Sequence, residues 1–461
     1  MVNLKIGQKI VVKIMRLGIN GEGIGYYQKR LIFVPYALPD EEVQVEITEN
    51  QRNFSRARLT KILKRSKYRV EPADKVYADL SSTHIMHLAY PQQLIFKQDL
   101  LRQALEKFKP QGYKRYELRP TLGMSNPLRY RYKLTYQLRR LKNGSVIAGL
   151  YRENSHHLVS LKDCLVQEDL TQKIANEVCQ LIEKFNLPVD DERHARGLKT
   201  VMLRRSRARG EIQLMLVSSD DELELPEAFL SALTKKYKDL KTIAINFLTK
   251  KTHELYGSKT KILFGPRTIR EHVLSIDFGL SPRAFYQLNP EQAEVLYGEA
   301  IKALAPRVTD KVIDAYSGVG TIGLALADRV AEVRGMDVTP ESIADAKKNA
   351  EKLRPTAKTQ YAVGAAEKVI PKWFKAGFHA DGLIVDPPRT GLDEALLETI
   401  LRQPPEKMVY VSCNVSTLAR DLTYLTQAYR VDYIQSVDMF PHTARTEAVV
   451  KLTRQTGKRR K

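Results

Sequence analysis

The sequence of 461 residues contains only three cysteines and one tryptophan, and none of its apolar runs reaches the length of a membrane span. So few cysteines exclude a disulfide-stapled fold and indicate a reducing compartment. Residues 64–90 contain no CxxC or Cys/His spacing of the kind that binds zinc. The first residues lack the pattern of a secretory signal, so we expect a cytoplasmic protein with no membrane partner.

Acidic residues are also in the minority, since 53 Asp and Glu oppose 75 Lys and Arg and leave a formal net charge of +22. The excess is uneven: 49 basic against 30 acidic residues precede residue 273, and 26 against 23 lie from there to the end. This asymmetry is typical of a protein that grasps a polyanion with one region and processes it with another. A basic surface without a partner is the alternative, but an imbalance this large favours nucleic acid.

The residues that favour chemistry lie near the C-terminal end. Two short apolar runs predict buried strands, and the helical spacing between them predicts a helix from Asp393 to Arg402. This βαβ unit places Asp386–Gly391 and Ser412–Asn414 at the carboxyl ends of parallel strands, where open sheets bind ligands. A buried, inert cysteine is the ordinary interpretation of Cys413. Its polar neighbours and the helix that starts beside it favour a reactive thiolate instead.

A second motif lies upstream, where residues 312–323 predict a strand, a glycine turn and a helix with the spacing GxGxxG. Glycines there let the backbone approach a bound nucleotide closely. Asp337 ends the next predicted strand, where a carboxylate can hold ribose hydroxyls. The glycine spacing does not separate a nicotinamide site from an S-adenosylmethionine site. A predicted late hairpin at residues 437–443 favours a methyltransferase sheet.

The first part of the chain predicts a small β-barrel. Short alternating strands and glycine turns over residues 1–62 are typical of an OB-like barrel that holds nucleic acid. Gly21–Gly23, Phe33–Pro35 and Ala37–Glu41 resemble a TRAM domain, an RNA-binding barrel found on RNA-modifying enzymes. Asp40 stands where that family usually has glycine.

The middle of the chain carries no catalytic signature. Residues 90–108 predict one helix, and residues 120–272 predict a mixed α/β region. Two basic stretches, Arg129–Lys133 and Arg204–Arg209, favour either RNA contact or a merely solvated face, and the sequence does not decide between them.

Six motifs that occur in the same order resemble those of the RNA uracil-5-methyltransferase family. They are Ser281–Asn289, Asp314–Gly323, Asp386–Gly391, Ser412–Asn414, Thr417–Asp421 and Asp438–Thr443. The resemblance to this family covers nearly the whole chain. The resemblance implies a multi-domain α/β protein with a TRAM barrel, a central mixed α/β domain and a doubly wound, Rossmann-like methyltransferase domain. The expected limits are 1–62 for the barrel, 63–90 and 120–272 for the central domain, and 91–119 and 273–461 for the methyltransferase domain.

The resemblance also implies the site residues and their roles. Cys413 is the nucleophile, and Glu447 is the base. The residues that bind S-adenosylmethionine are Gln287, Tyr316, Asp337 and Asp386. The chemistry needs these types, because a thiolate added to carbon 6 of uracil makes carbon 5 nucleophilic enough to accept a methyl group. A base must then remove the carbon 5 proton, and the target base must leave its stack.

Two departures from the family pattern carry expectations of their own. Members commonly hold an iron–sulfur cluster with four cysteines before and after a His-x-x-Tyr motif. Here His87–Tyr90 is kept, but Leu80 and Thr83 stand at the CxxC positions and only Cys164 matches a ligand. One cysteine cannot hold such a cluster, so we expect no metal. Near the base, Arg445 stands where the family usually has histidine.

The expected function is therefore S-adenosylmethionine-dependent methylation of uracil carbon 5 in RNA by a monomer. We expect 23S ribosomal RNA as the substrate, since transfer-RNA-directed relatives usually lack the TRAM barrel. The alternatives are the same reaction on transfer RNA and a non-catalytic RNA-binding assembly factor on the same fold. A nicotinamide-dependent oxidoreductase rests on the glycine spacing alone.

Overall fold

The structure is a computed structural model that describes residues 4–455 except 75, 76, 81, 153, 154, 191–195, 251 and 253. In this described part, no helix combines the length and the apolar character that crossing a bilayer requires. The chain forms a closed barrel, a seven-stranded sheet, a two-stranded hairpin and an eight-stranded sheet.

The N-terminal barrel confirms the predicted small all-β unit. Its strands are β1 (Lys9–Leu17), β2 (Gly23–Tyr27), β3 (Arg30–Val34), β4 (Glu42–Asn50) and β5 (Phe54–Lys64), closed in the order β1-β2-β3-β5-β4. Alternate side chains of β1 and β4 fill the interior, as the period of two requires. Asp40 has a φ of 68°, in the left-handed region that glycine adopts freely and aspartate tolerates. That conformation explains why aspartate can replace the family's glycine here.

A long helix follows the barrel, as predicted from residues 90–108. Helix α1 (Tyr90–Phe108) starts with a proline in its first turn and buries Phe96, Leu100 and Leu101 along one face. Strand β6 (Glu117–Leu122) comes next.

The central region is a seven-stranded sheet with two helices. Its elements are β7 (Lys133–Arg140), β8 (Val146–Tyr151), β9 (Leu158–Ser160), α2 (Asp169–Lys184), β10 (Leu198–Arg205), β11 (Ile212–Ser218), α3 (Glu227–Lys236), β12 (Leu240–Phe247) and β13 (Lys259–Phe264). The strand order is β13-β12-β11-β10-β7-β8-β9. A hairpin of β14 (Ile269–Val273) and β15 (Ile276–Leu280) leads into the last region.

The C-terminal region is doubly wound, with helices between its strands. Its elements are α4 (Pro290–Leu304), β16 (Lys311–Ala315), α5 (Thr321–Leu326), β17 (Glu332–Asp337), α6 (Pro340–Leu353), β18 (Lys358–Val363), α7 (Ala366–Lys375), β19 (Gly382–Val385), α8 (Glu394–Arg402), β20 (Lys407–Ser412), α9 (Val415–Leu425), β21 (Tyr429–Val437) and β22 (Glu447–Arg454). The strand order is β18-β17-β16-β19-β20-β22-β21-β6. Strands β16 to β20 are parallel, and β22 runs antiparallel between β20 and β21.

Strand β6 joins the C-terminal sheet although it lies almost 200 residues before that sheet's first strand in the chain, and it pairs in parallel with β21. Helix α1 packs against β6 and α9. The predicted limits at residues 62, 119 and 272 each fall inside a strand, namely β5, β6 and β14. The division of the chain into three domains at those limits stays a prediction.

Candidate active site

A cleft of about 1170 Å³ lies at the carboxyl ends of the parallel strands β16, β17, β19 and β20. Its lining includes all of the site residues predicted from the sequence. They are Gln287, Tyr316, Asp337, Asp386, Cys413 and Glu447. Four of them end a strand or directly follow one, which is where ligands bind in open α/β sheets.

The turn after β16 has the backbone that its glycines predict. Gly318 and Gly320 have φ values of 55° and 84°, and Tyr316 also adopts the left-handed region, at 64°. This region is unusual for a bulky residue, and such conformations concentrate at functional turns. A side chain at Gly323 would come within 2.9 Å of an Asp314 carboxylate oxygen, so the approach of α5 to β16 needs a glycine.

Two carboxylates hold this turn in place. Asp337 accepts hydrogen bonds from the backbone N–H groups of Gly318 at 3.2 Å and Thr339 at 2.8 Å. Asp314 accepts one from Gly323 at 2.8 Å, and burial together with the Asp337 charge raises the pKa of Asp314 to about 7. Asp314 lines the cleft but is absent from the predicted site residues. Its place as the first residue of the glycine motif was the signal available for it.

The loop between β19 and α8 is anchored to α9. Asn414 donates to the Arg389 carbonyl at 2.9 Å, and Thr417 donates to the same oxygen at 3.3 Å. Arg420 of α9 donates to the carbonyl of the next loop residue, Thr390, at 2.9 Å. The loop and the start of α9 therefore form one rigid unit.

Asp421 of α9 adds further contacts between this helix and the loop. Its fully buried carboxylate accepts from the Leu392 N–H at 2.8 Å and from the Tyr410 hydroxyl at 2.7 Å, and it pairs with Arg420. A side chain at Gly391 would lie 2.6 Å from an Asp421 oxygen, so the loop can approach only with glycine at that position. This contact explains why the motifs Asp386–Gly391 and Thr417–Asp421 occur together.

Cys413 and Glu447 come from neighbouring strands of the sheet. Strands β20 and β22 pair antiparallel with Ser412 opposite Ala448. Cys413 directly follows β20 and Glu447 is the first residue of β22, so both lie next to this last pair, at the same edge of the sheet. The two side chains interact electrostatically and share the cleft.

The surroundings of Cys413 in the cleft favour the protonated thiol. Burial, the Glu447 carboxyl group and the Asp386 carboxyl group raise the pKa of this thiol to about 11, while Arg389 opposes the rise. Helix α9 begins beside Cys413, at Val415, as the sequence predicts. The reactive thiolate at Cys413 stays a prediction.

Carboxyl groups in the cleft hold their protons unusually tightly. Burial and Asp386 raise the pKa of Glu447 well above its usual range, and the cations Arg389, Arg445 and Lys97 oppose that rise. Burial and the Asp314 carboxyl group raise the pKa of Asp386 to about 7. Charges brought by a substrate will therefore decide which of these groups ionise.

Helix α1 fixes the loop that leads to Glu447. The fully buried Lys97 forms a salt bridge with Asp438 and donates to the Phe440 carbonyl at 2.9 Å. The Tyr90 hydroxyl donates to Asp438 at 2.8 Å. No local sequence pattern marks Lys97 as a functional residue, because its partner Asp438 lies 341 residues away in the chain.

A second cleft, of about 660 Å³, opens on the other side of Cys413. Barrel residues including Asn20, Tyr36 and Arg56 line this cleft, together with residues that follow β20 or precede β22. Cys413, Arg389 and Arg445 line both clefts. Cys413 thus lies where the two clefts meet.

The basic stretch Arg204–Arg209 contacts several other parts of the protein. Arg204 is only 3% exposed and donates to the carbonyls of Ser281 and Ala284. The other three arginines have carboxylate partners. These pairs are Arg205 with Glu168 at 2.7 Å, Arg207 with Glu291 at 3.7 Å and with Glu294 at 3.8 Å, and Arg209 with Asp277 at 2.7 Å. Arg207 and Arg209 remain exposed, so the interpretation as a solvated face holds for them and not for Arg204. RNA contact by this stretch stays a prediction.

The other basic stretch is divided in its contacts. Arg129 pairs with Asp163 at 2.7 Å, and the buried Tyr130 donates its hydroxyl to the Pro441 carbonyl at 3.0 Å. Arg131 lines the first cleft. This stretch therefore connects the central region to the loop before Glu447, which contains Pro441.

The positions expected of iron–sulfur ligands do not form a metal site. Leu80 is buried in an apolar cluster with Met86 and Cys164. Thr83 donates its hydroxyl to the Tyr77 carbonyl at 3.1 Å. Within the described ranges, no group of three or more His, Cys, Asp or Glu side chains is arranged to hold a metal ion. A single thiol among apolar side chains does not fit an iron–sulfur cluster.

Parallel strands with one antiparallel strand near the edge, a glycine turn and a cysteine–glutamate pair define an enzyme of the methyltransferase class. A family model described as tRNA (Uracil-5-)-methyltransferase matches residues 374–455, and a TRAM domain model matches residues 3–60. The chain is 60% identical to an uncharacterized RNA methyltransferase of Lactococcus lactis, over 98% of this chain and 93% of that protein. It is 57% identical to one of Streptococcus mutans, over 98% of each.

A solved structure also matches along the chain. It is the tRNA (uracil-54, C5)-methyltransferase of Pyrococcus abyssi in complex with S-adenosyl-L-homocysteine, with a TM-score of 0.75 and 28% identity. The match covers 96% of this chain and 99% of that one. The chain belongs to the RNA uracil-5-methyltransferase family and carries a TRAM domain.

Proposed function

We propose that the protein transfers a methyl group from S-adenosylmethionine to carbon 5 of a uridine in RNA, through a covalent adduct between Cys413 and carbon 6. The observation that carries the proposal is that Cys413, directly after β20, and Glu447, the first residue of the neighbouring strand β22, line one cleft. A nucleophile and a base that can both reach one pyrimidine ring are what this reaction needs.

Gln287, Tyr316, Asp337 and Asp386 are the residues proposed to bind the methyl donor, which supplies an electrophilic methyl group when bound. Three features of the cleft support this assignment. The glycine turn leaves its backbone accessible, Asp337 ends β17 where a ribose is held in related folds, and Asp386 directly follows β19. The Pyrococcus abyssi enzyme, solved with S-adenosyl-L-homocysteine, offers independent support.

The reaction balances with the residues present. Cys413 gives its proton to solvent and its sulfur adds to carbon 6, which turns the ring into an enolate. Carbon 5 of the enolate attacks the methyl group, whose bond to the donor's sulfur breaks and leaves its electron pair on that sulfur. Glu447 then takes the proton from carbon 5, the carbon–sulfur bond breaks, and the double bond of the ring returns. Glu447 must be ionised for this step, and Arg389, Arg445 and Lys97 favour that ionised form.

We propose 23S ribosomal RNA as the substrate, with transfer RNA as the second candidate. The TRAM barrel does not separate the two RNAs, although the sequence interpretation took it to favour ribosomal RNA. The Pyrococcus abyssi enzyme is named for transfer RNA and matches 96% of this chain, too much to leave out the barrel of residues 9–64. A barrel of this kind is therefore compatible with either RNA. The monomeric state and the cytoplasmic location stay predictions.

The test is methyl transfer from labelled S-adenosylmethionine to separate preparations of 23S ribosomal RNA and transfer RNA, both lacking 5-methyluridine. We expect 5-methyluridine in the ribosomal RNA, and none with the Cys413→Ala variant. Label in transfer RNA alone would correct the substrate. No label in either RNA, with RNA binding intact, would support the assembly factor instead. Binding of a nicotinamide nucleotide in place of S-adenosylmethionine would support an oxidoreductase.

A further inference from the structure

Arg389 lies in the loop between β19 and α8, where its charge favours the ionised form of Glu447, and several hydrogen bonds hold its main chain. Two side chains of the α9 segment, Asn414 and Thr417, donate to its carbonyl oxygen. A third, Arg420, donates to the carbonyl of the next residue. An anchored main chain restricts where the guanidinium group can reach.

The guanidinium group itself has neither a hydrogen bond nor a salt bridge within the part of the chain that the structure describes. Its side chain is exposed and lines both clefts. Its charge acts on the Cys413 thiol and on the Glu447 carboxyl group. Arg445 likewise lines both clefts and acts on Glu447. Two cations therefore flank the nucleophile at the junction of the clefts.

The structure of a nucleotide indicates which anion of the substrate lies near Arg389 and Arg445. Carbon 6 of uracil is bonded to N1, which carries the ribose, so a thiol that attacks carbon 6 lies beside the sugar. In the common anti conformation, carbon 6 faces the 5′-phosphate of the same nucleotide. The phosphodiester on that side must therefore lie close to Cys413, where Arg389 and Arg445 are. Arginine suits such a site because its planar fork of donors matches phosphate oxygens.

We propose that Arg389, assisted by Arg445, binds the phosphodiester on the 5′ side of the target uridine. The inference rests on the proposed function for the identity of the substrate. Arg389 is thus a substrate-binding residue that places carbon 6 over the sulfur. The second cleft then carries the neighbouring RNA backbone towards the barrel, while the base enters the first.

The test compares Arg389→Gln, Arg389→Lys and a control, Arg402→Gln. Arg402 is a 73% exposed arginine on α8 that pairs with Glu398 and lines neither cleft. The dissociation constant of a 23S ribosomal RNA fragment is measured across a salt series, and that of S-adenosylmethionine separately. Far-UV circular dichroism and thermal unfolding establish that each variant is folded. The salt series requires no turnover, so it is informative even if methyl transfer fails.

We expect Arg389→Gln to weaken RNA binding by at least about tenfold at low salt. The log–log salt slope should lose about 0.7, the value for one phosphate contact on a single strand. The Lys variant should recover most of the slope, because it keeps the charge. In turnover, KM for RNA should rise more than kcat falls, and the affinity for S-adenosylmethionine should not change.

Two results would overturn the proposal. If Arg389→Gln behaves as Arg402→Gln does in the salt series, Arg389 contacts no phosphate. If it weakens S-adenosylmethionine binding and leaves the RNA slope unchanged, its anion is the donor's carboxylate.

The position of the phosphate has its own test, on a fragment around the mapped target uridine. A single neutral methylphosphonate on the 5′ side should weaken binding to the wild type and have little effect on Arg389→Gln. The same pattern from a 3′ methylphosphonate, and not from the 5′ one, would contradict the assignment to the 5′ side.

Discussion

Two sets of arginines differ in their contacts, and their spacing along the sequence does not predict that difference. The run Arg204–Arg209 is the densest basic stretch of the central region, and each of its four arginines has a carboxylate or carbonyl partner. Arg389 and Arg445 are isolated in the sequence, yet both line the two clefts beside Cys413. Density of charge along the chain is thus a poor guide to the charge that RNA meets.

The reason for the difference is the origin of the partners. Three of the carboxylates that pair with the run, Asp277, Glu291 and Glu294, belong to segments far along the chain, and folding brings them to β10. An arginine paired with a carboxylate adds less net positive charge to the surface than an unpaired one. The count of basic residues before residue 273 is therefore not in itself a measure of the charge that this region presents to RNA.

The largest effect expected is that of Cys413→Ala, which tests whether the cleft beside Arg389 and Arg445 is the catalytic one. Methyl transfer should fall to background because no other thiol is available: Cys164 and Cys179 are buried, at 3% and 7% exposure. RNA binding and its salt slope should stay, since Arg389 and Arg445 are intact. Tritium transfer to RNA and a filter-binding salt series measure the two. Retained turnover would remove Cys413 from the mechanism.

Glu447→Gln should slow complete turnover by about 10²–10⁴-fold, the range for loss of a general base. Carbon 5 can still be methylated, but its proton then has no acceptor, so the adduct with Cys413 should accumulate. A denaturing gel should show protein covalently linked to labelled RNA, and the double variant with Cys413→Ala should not. A freely turning-over variant without trapped species would assign the base to another group.

Arg204→Met should affect folding and leave RNA affinity alone, in contrast to changes at Arg389. Loss of its hydrogen bonds leaves the buried Ala284 carbonyl without its Arg204 donor, whereas the Ser281 carbonyl still accepts from the Ala284 N–H, and the cost is about 1–3 kcal/mol in the free energy of unfolding. The exposed pair of Arg209 with Asp277 is a matched comparison, and Arg209→Gln should cost less than about 1 kcal/mol. Urea titration measures both. A flattened RNA salt slope in either folded variant would show that the run does contact RNA.

The smallest effect expected is a shift in the pH dependence of Cys413 alkylation. Only the thiolate reacts, so the rate with iodoacetamide in the absence of RNA should rise towards a midpoint near pH 11. A negative Glu447 raises that midpoint, so Glu447→Gln should lower it. Arg389 lowers the midpoint, so Arg389→Gln should raise it. Shifts of the same sign in both variants would contradict the electrostatic arrangement described for the cleft.

Much of the architecture could be predicted from local pattern. The alternation in the barrel, the helix at Tyr90–Phe108 and the βαβ unit around Asp386 are short-range features, because strand and helix periods are written in neighbouring residues. The six predicted site residues lie in one cleft for a related reason. Four of them end or directly follow a parallel strand, and parallel strands bring their carboxyl ends to one edge.

The sequence alone thus determined the family, the fold class and the residues at the strand ends. Only the tertiary structure decided which arginines have carboxylate or carbonyl partners. It also decided that Lys97 of α1 holds the loop before Glu447, and that burial and nearby carboxyl groups raise the pKa of the Cys413 thiol. These properties depend on partners hundreds of residues apart and on burial, and no local pattern encodes either. Charge and reactivity belong to an environment, and the environment exists only after folding.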